Sequence, residues 1–190
     1  MSLKHAILGF LSFKPLSGYD LKKAFDRSVR HFWPANQSQI YRTLAELEKE
    51  SSVEKEVVSR EERLDMKVYS ITESGREELR RWLATPLPPQ DYREPFLIQI
   101  YFGGKLSDSE MIGLLQGEIR DIEERLALYV SIYRMNVEKM KDADDRRSLF
   151  LSISTLEYGI YSNQTALEWL KSVAERLSSG NFALADFQPR

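Results

Sequence analysis

Between Asn36 and Lys49 the chain reads Asn-Gln-Ser-Gln-Ile-Tyr-Arg-Thr-Leu-Ala-Glu-Leu-Glu-Lys, a dense run of side chains able to bond an anion or a base edge. Gln37, Ser38, Gln39, Tyr41 and Arg42 supply hydroxyl, amide and guanidinium groups, and Lys49 adds a second cation. Wound as a helix, Ser38, Arg42, Ala45 and Lys49 recur at steps of four, three and four and share one side. Ile40, Leu44 and Leu47 form an apolar stripe on the other. Gln39 and Tyr41 flank the outer side. Such groups bond phosphate oxygens and base edges, and a helix N-terminus favours anions. The chemistry is recognition of a polyanion rather than bond making. An ordinary amphipathic surface helix has the same division, so the surrounding elements must decide.

Other chemistries find little support. The chain has no Cys, no Gly-rich phosphate loop and no Gly-x-Ser-x-Gly, and its two histidines, His5 and His31, lack ligand-spaced partners. Acidic neighbours such as Glu61/Glu62 and Glu123/Glu124 read as solvated faces rather than acid–base dyads. The expectation is a protein that is not an enzyme and uses no cofactor and no metal. With 42% hydrophobic and 29% charged residues, the composition is that of a globular chain rather than a disordered one. The short apolar run near the start lacks the features of a signal peptide or membrane span, and the absence of Cys fits a reducing cytoplasm. The net charge of −2 divides unevenly. Residues 1–85 carry 15 basic and 13 acidic side chains (+2), and residues 86–190 carry 12 and 16 (−4). Contact with DNA must therefore be local and confined to the first half.

The elements that would position the Asn36–Lys49 helix precede and follow it closely. Leu3, Ile7, Leu8 and Leu11 give a first helix its apolar face, and Lys14-Pro15 ends it. Ser17 is placed to cap a second helix with Asp20 reaching back, Leu16 and Leu21 have staple spacing, and Leu21, Ala24, Phe25 and Val29 form the buried side. Phe32-Trp33-Pro34-Ala35 leads into the third helix. Three short helices joined this way are the material of a helix-turn-helix. Ser51 stands where the third helix ends, at a position Gly would suit if the backbone turns left-handed. Val53–Val58 and Met66–Ile71 then predict two strands around a long polar tip, Ser59 to Asp65, which is a wing or a solvated loop. Arg60, Arg63 and Lys67 could meet phosphate there. Thr72 caps a fourth helix with Leu79, Trp82 and Leu83 inward.

Thr85-Pro86-Leu87-Pro88-Pro89-Gln90-Asp91 has three prolines in seven residues and reads as a linker. The expected organisation is 1–85 for DNA binding, 86–91 as linker, 92–178 as a helical dimerisation domain and 179–190 as an irregular tail. Phe96, Leu97, Ile100 and Tyr101 predict a short helix closed by Gly103-Gly104, and Ser107-Asp108-Ser109-Glu110 is a capping box. Ile112, Leu115, Ile119, Ile122, Leu126, Tyr129 and Tyr133 form a seam continuing to Asn136 and Met140. After a charged turn at 141–147, Leu149, Ile153, Leu156, Ile160, Asn163, Leu167, Leu170, Ala174 and Leu177 form a second. Each seam carries one Asn, a usual device for fixing register or partner. Tyr158, Tyr161 and Trp169 lie off the seam and add apolar surface that a single hairpin does not hide. A homodimer is expected, with the two seams as its contact.

In this order the pieces resemble the PadR family of transcriptional regulators. The resemblance rests on Ile7–Leu11, Leu16-Ser17-Gly18-Tyr19-Asp20-Leu21, Phe32-Trp33, Gln39–Leu44, and Lys67–Thr72 followed by Gly75-Arg76. Tyr41-Arg42 and the long second half look like the AphA-like virulence-activator branch. The resemblance implies a mainly α protein, a winged helix-turn-helix followed by a helical, coiled-coil-like dimerisation domain whose helices wrap against the other subunit. It also implies that Gln39 and Tyr41 contact double-stranded DNA and that basic wing residues touch its backbone. Glu61 and Glu62 depart from a Gly-rich basic wing, and Ser51 replaces a frequent Gly.

The expected function is that of a sequence-specific regulator, a repressor, acting as a homodimer on an operator. Trp33, Trp82 and Trp169, with Tyr19, Tyr158 and Tyr161, could line a cavity for a small aromatic effector between the two domains, or simply serve as core and interface packing. The alternative function is a winged-helix adaptor that binds a partner protein through its coiled helices. Such an adaptor would have no need of Arg42 and Lys49 stacked on one outer helix face.

Overall fold

Helix α1 spans Ser2–Phe13 in the computed structural model, which describes residues 2–30, 32–60, 63–89, 91, 93–140 and 144–184. Its apolar side, Ile7, Leu8 and Leu11, is buried. Helix α2 spans Gly18–Arg27, and Ser17 caps it by accepting the Asp20 N–H at 3.1 Å. The Asp20 carboxylate reaches back as expected, but it accepts from the Ser17 hydroxyl at 2.6 Å. The Leu16–Ser17 backbone belongs to a two-residue strand, β1, that periodicity did not predict. Helix α3 spans Gln37–Lys49. Leu21, Phe25, Ile40, Leu44 and Leu47 have no exposure at all, and Trp33 and Ala35 pack on them from the connecting segment.

The end of α3 is closed by two backbone bonds, Ser52 N–H to Leu47 O at 2.9 Å and Ser51 N–H to Glu48 O at 3.1 Å. This pairing requires a left-handed residue between helix and strand, and Ser51 takes it with φ 55°. Strands β2 (Val53–Arg60) and β3 (Arg63–Ile71) follow. The sheet order is β1-β3-β2, all antiparallel, with Leu16 opposite Tyr69 and Val53 opposite Ile71. Among the described residues of the hairpin, only its base, Val53, Tyr69 and Ile71, covers the core. The strands run on to Arg60 and Arg63 past an irregularity between Val58 and Arg60, so the expected long tip is shorter than Ser59–Asp65. Beyond the core a ladder needs no apolar alternation, because both of its faces meet water.

Helix α4 spans Glu73–Ala84, with Thr72 Oγ1 accepting the Gly75 N–H at 3.1 Å. Leu79 packs on the core and the Trp82 ring stacks on His5 at 4.4 Å. Leu83, expected inward, is 69% exposed. At 3.6 residues per turn it lies about 100° round from Trp82, beyond the side that α1 covers.

The chain divides into two compact units, Met1–Gln90 and Asp91–Arg190. In the second, α5 spans Pro95–Tyr101. Phe96 and Ile100 pack on the core of that unit, whereas Leu97 and Tyr101, also expected inward, are exposed. A helix of two turns offers one narrow i, i+4 stripe, too narrow for all four. Gly103 abuts the Met111 methyl, and a Cβ there would lie 2.1 Å from it.

The long helices are α6 (Asp108–Lys139) and α7 (Arg146–Ser178). Ser107 and Glu110 form the expected capping box on α6, and Asp145 caps α7 by accepting the Ser148 N–H at 3.0 Å. The helices run antiparallel: Glu123 meets Lys171 at 2.6 Å, Arg125 meets Asn163 at 3.3 Å and Tyr133 meets Glu157 at 2.9 Å.

The two seams face each other within one protomer, so the hairpin itself covers much of the surface expected at a contact between subunits. Leu115, Ile122, Ile153, Leu156 and Leu170 are buried in the hairpin, and Ile112, Ile119, Leu126, Ile160 and Leu167 are half-buried. A short connection makes the neighbouring helix the nearest apolar surface, so each seam is covered by the other. What remains outward is a different set: Leu128, Met135, Phe150, Leu151, Tyr158 and Tyr161. The two seam asparagines turn their Nδ2 groups to their own helices, Asn136 to Ile132 O and Asn163 to Gly159 O.

Candidate nucleic-acid interface

The outer face of α3 is open. Gln37, Ser38, Gln39, Tyr41, Arg42, Ala45 and Lys49 are all exposed, while Ile40, Leu44 and Leu47 anchor the opposite side. Among the described residues no carboxylate pairs with Arg42 or Lys49. The acids on either side of Lys49 are held elsewhere, Glu48 by Lys55 at 2.6 Å and Glu50 by Lys4 at 2.7 Å. The Glu48 contact raises the Lys55 pKa. Exposed Glu46 flanks the outer face on the side away from Tyr41.

At the first turn Asn36 and Gln39 form a reciprocal cap. Asn36 Oδ1 accepts the Gln39 N–H at 2.9 Å, and Gln39 Oε1 accepts the Asn36 N–H at 2.9 Å. This narrows the role expected of Gln39. Bidentate reading of adenine uses both ends of the amide, and here the oxygen is already engaged. The Nε2 group is left to donate, which suits a phosphate or a single base acceptor.

Tyr41 is 41% exposed, and its ring lies against buried Gly18 at the start of α2. Beside it opens a cleft of about 430 Å³ lined by Ser17, Tyr19, Asp20, Tyr41, Asp65, Met66 and Lys67. The wing cation Lys67 and the helix residue Tyr41 thus share one cleft. Arg60 and Arg63 face each other in the hairpin register. Their side chains, and the acidic pair Glu61 and Glu62, lie outside the described residues, as do His31 and residues 185–190. Tyr69, two residues after Lys67 on β3, has its phenol pKa raised chiefly by burial.

Sequence reasoning missed two residues as parts of this surface. Tyr19 is 57% exposed and the Lys23 ammonium sits 4.4 Å from its ring centre. Their i, i+4 spacing outside the Leu21/Phe25 stripe was the available signal.

The aromatics considered for an effector cavity do not gather within either unit. Trp33 packs on the first core and Trp82 on His5, while Tyr158, Tyr161 and Trp169 are exposed on α7. A separate cavity of about 450 Å³ lies in the second unit, between Ile100, Leu106, Met111, Val173, Leu177 and Phe182. Among the described residues no cluster of His, Asp or Glu could hold a metal, and no helix is long and apolar enough to cross a membrane.

Known proteins share this arrangement. Residues 7–81 match the transcriptional regulator PadR-like family, and residues 92–178 match the virulence activator alpha C-terminal family. The negative transcriptional regulator PadR of Bacillus subtilis is 32% identical over 180 residues, 90% of this chain and 94% of that protein. The chain belongs to the PadR-like family of transcriptional regulators. The crystal structure of B. subtilis PadR in complex with operator DNA superposes with a TM-score of 0.81 at 28% identity, covering 93% of this chain and 99% of that one. The same regulator in complex with p-coumaric acid gives 0.77 at 28% identity, over 93% and 95%. The Vibrio cholerae virulence activator AphA gives 0.75 at 26% identity, over 94% and 99%. A PadR-like fold thus spans both units, winged helix-turn-helix and helical hairpin.

Proposed function

We propose that this PadR-like regulator binds an operator in duplex DNA as a homodimer, as a repressor that a small aromatic compound releases. The carrying observation is the outer face of α3, where Arg42 and Lys49 stand exposed with no acidic partner among the described residues while the opposite stripe is fully buried. A cation left unpaired costs nothing in water and is available to displace counterions from phosphate. Arg42 reads or positions, Ser38 and Tyr41 bond the backbone, Gln37 and Gln39 donate at the helix start, and Lys67, Arg60 and Arg63 meet the flanking phosphates from the wing. The operator and effector follow from the B. subtilis relative, whose structures hold operator DNA and p-coumaric acid. A regulator of this kind works in the bacterial cytoplasm, without enzymatic activity or a cofactor. Two copies place two α3 helices on half-sites ~34–36 Å apart or a multiple of it.

The test is fluorescence anisotropy with duplexes from the protein's own upstream region, titrated with salt. Arg42→Ala weakens binding, and where Arg42 meets phosphate it flattens the log–log salt slope by about one unit. Unchanged affinity for the best duplex removes the outer face of α3 from the interface.

A further inference from the structure

Gly18 opens α2 directly behind its cap, and no feature of that helix explains a glycine there. Its φ lies outside the left-handed region, so the backbone does not demand it, and helix-start positions tolerate most residues. The explanation is across the chain. A Cβ on Gly18 would lie 2.5 Å from Tyr41 Cε1, 2.6 Å from Cζ and 3.0 Å from the hydroxyl. All three atoms belong to the outer end of one side chain, and that side chain is partly open to solvent. A methyl at Gly18 would therefore be accommodated by the phenol swinging away rather than by helix or sheet moving.

We propose that Gly18 is a positioning residue for DNA binding. The space left by its missing side chain is the seat in which the Tyr41 phenol is held over the first turn of α2, with its hydroxyl in the cleft shared with Lys67. This rests on the reading of the α3 outer face as the DNA-contacting surface. A seated phenol meets the sugar–phosphate backbone with its rotamer already chosen, whereas a displaced one must be ordered on binding. Gly18 touches no DNA itself; its effect passes through Tyr41.

A four-member cycle of wild type, Gly18→Ala, Tyr41→Ala and the double variant tests this, with operator anisotropy and thermal melting measured on each full-length protein. The expected result is that Gly18→Ala weakens binding roughly five- to tenfold, the size of one hydrogen bond. Its melting temperature stays equal to or above that of the wild type. The same substitution placed in Tyr41→Ala leaves the affinity unchanged. A Gly18→Ala protein that binds as tightly as wild type, that melts lower, or that loses as much affinity without the phenol as with it overturns the proposal. Failure of Tyr41→Ala itself to weaken binding instead removes the surface reading on which the proposal rests, and with it the proposal.

Discussion

At Ser51 the backbone sits at φ 55°, a conformation that disfavours any residue with a Cβ by roughly 1 kcal/mol or more. The position is held by the bonds that close α3 and by Thr72, whose hydroxyl donates to Ser51 O at 2.7 Å. Ser51→Gly is expected to stabilise the first unit by about 0.5–1 kcal/mol, read as a rise in melting temperature. The left-handed site was legible in the sequence, because a helix followed at once by a strand must reverse within two residues. Gln39 was legible only in part. Its polarity marked it for the interface, but its carbonyl oxygen is taken up in a cap with Asn36, which the residue types allow without requiring. Glu110 and Asp145 also belong at this scale. The Ser107 and Ser148 hydroxyls and backbone N–H groups hold both carboxyls below the usual carboxylate range. A carboxyl with a depressed folded pKa adds stability above its unfolded value and loses it as pH falls through the folded one. Asp145→Asn should therefore flatten the acid limb of a stability–pH curve while leaving the neutral limb parallel to wild type.

At the scale of elements, the junction of α3, β2 and α4 carries the most constraint. Thr72 N–H donates to Ser52 O at 3.1 Å, and a Cβ on Gly75 would lie 2.1 Å from that same oxygen and 2.9 Å from Ile71 Cγ1. Here the obstacle is backbone, which cannot swing aside. Gly75→Ala is expected to cost roughly 1–3 kcal/mol of stability, as overpacking does elsewhere, and a melting curve within a degree of wild type would contradict it. The contrast with Gly18 is instructive, since the same added methyl meets a movable ring in one place and a fixed carbonyl in the other. The helices, and the caps at Ser17, Thr72 and Ser107, were readable in order because each depends on neighbours within four residues. Strand β1 was not, because two residues carry no period and pair with Tyr69 and Val68 far along the chain.

For the whole molecule the decisive question is which apolar surface remains after α6 and α7 have covered each other. Leu115 and Leu170 are closed inside the hairpin, whereas Tyr158 and Tyr161 are 74% and 69% exposed. Leu115→Ala should cost about 2–5 kcal/mol in unfolding free energy, as a large core truncation does. Tyr161→Glu should leave helical content intact while shifting a sedimentation profile at low micromolar concentration from dimer toward monomer. A wild-type monomer there would contradict the paired arrangement on which half-site spacing depends.

By itself the sequence determined most of what repeats locally: the apolar stripes, the capped starts of α2, α4 and α6, the proline-rich break and the ordered motifs that carry the family likeness. Periodicity says that one side of a helix must be hidden; it does not say what hides it. Only the tertiary structure decided that the seams of α6 and α7 close on one another. Only it decided that Glu48 and Glu50 are drawn off by Lys55 and Lys4 while Arg42 and Lys49 stay open, and that Tyr41 rests in the space left by Gly18. Those outcomes depend on residues remote in sequence, whose approach is set by the packing of elements rather than by any pattern within them.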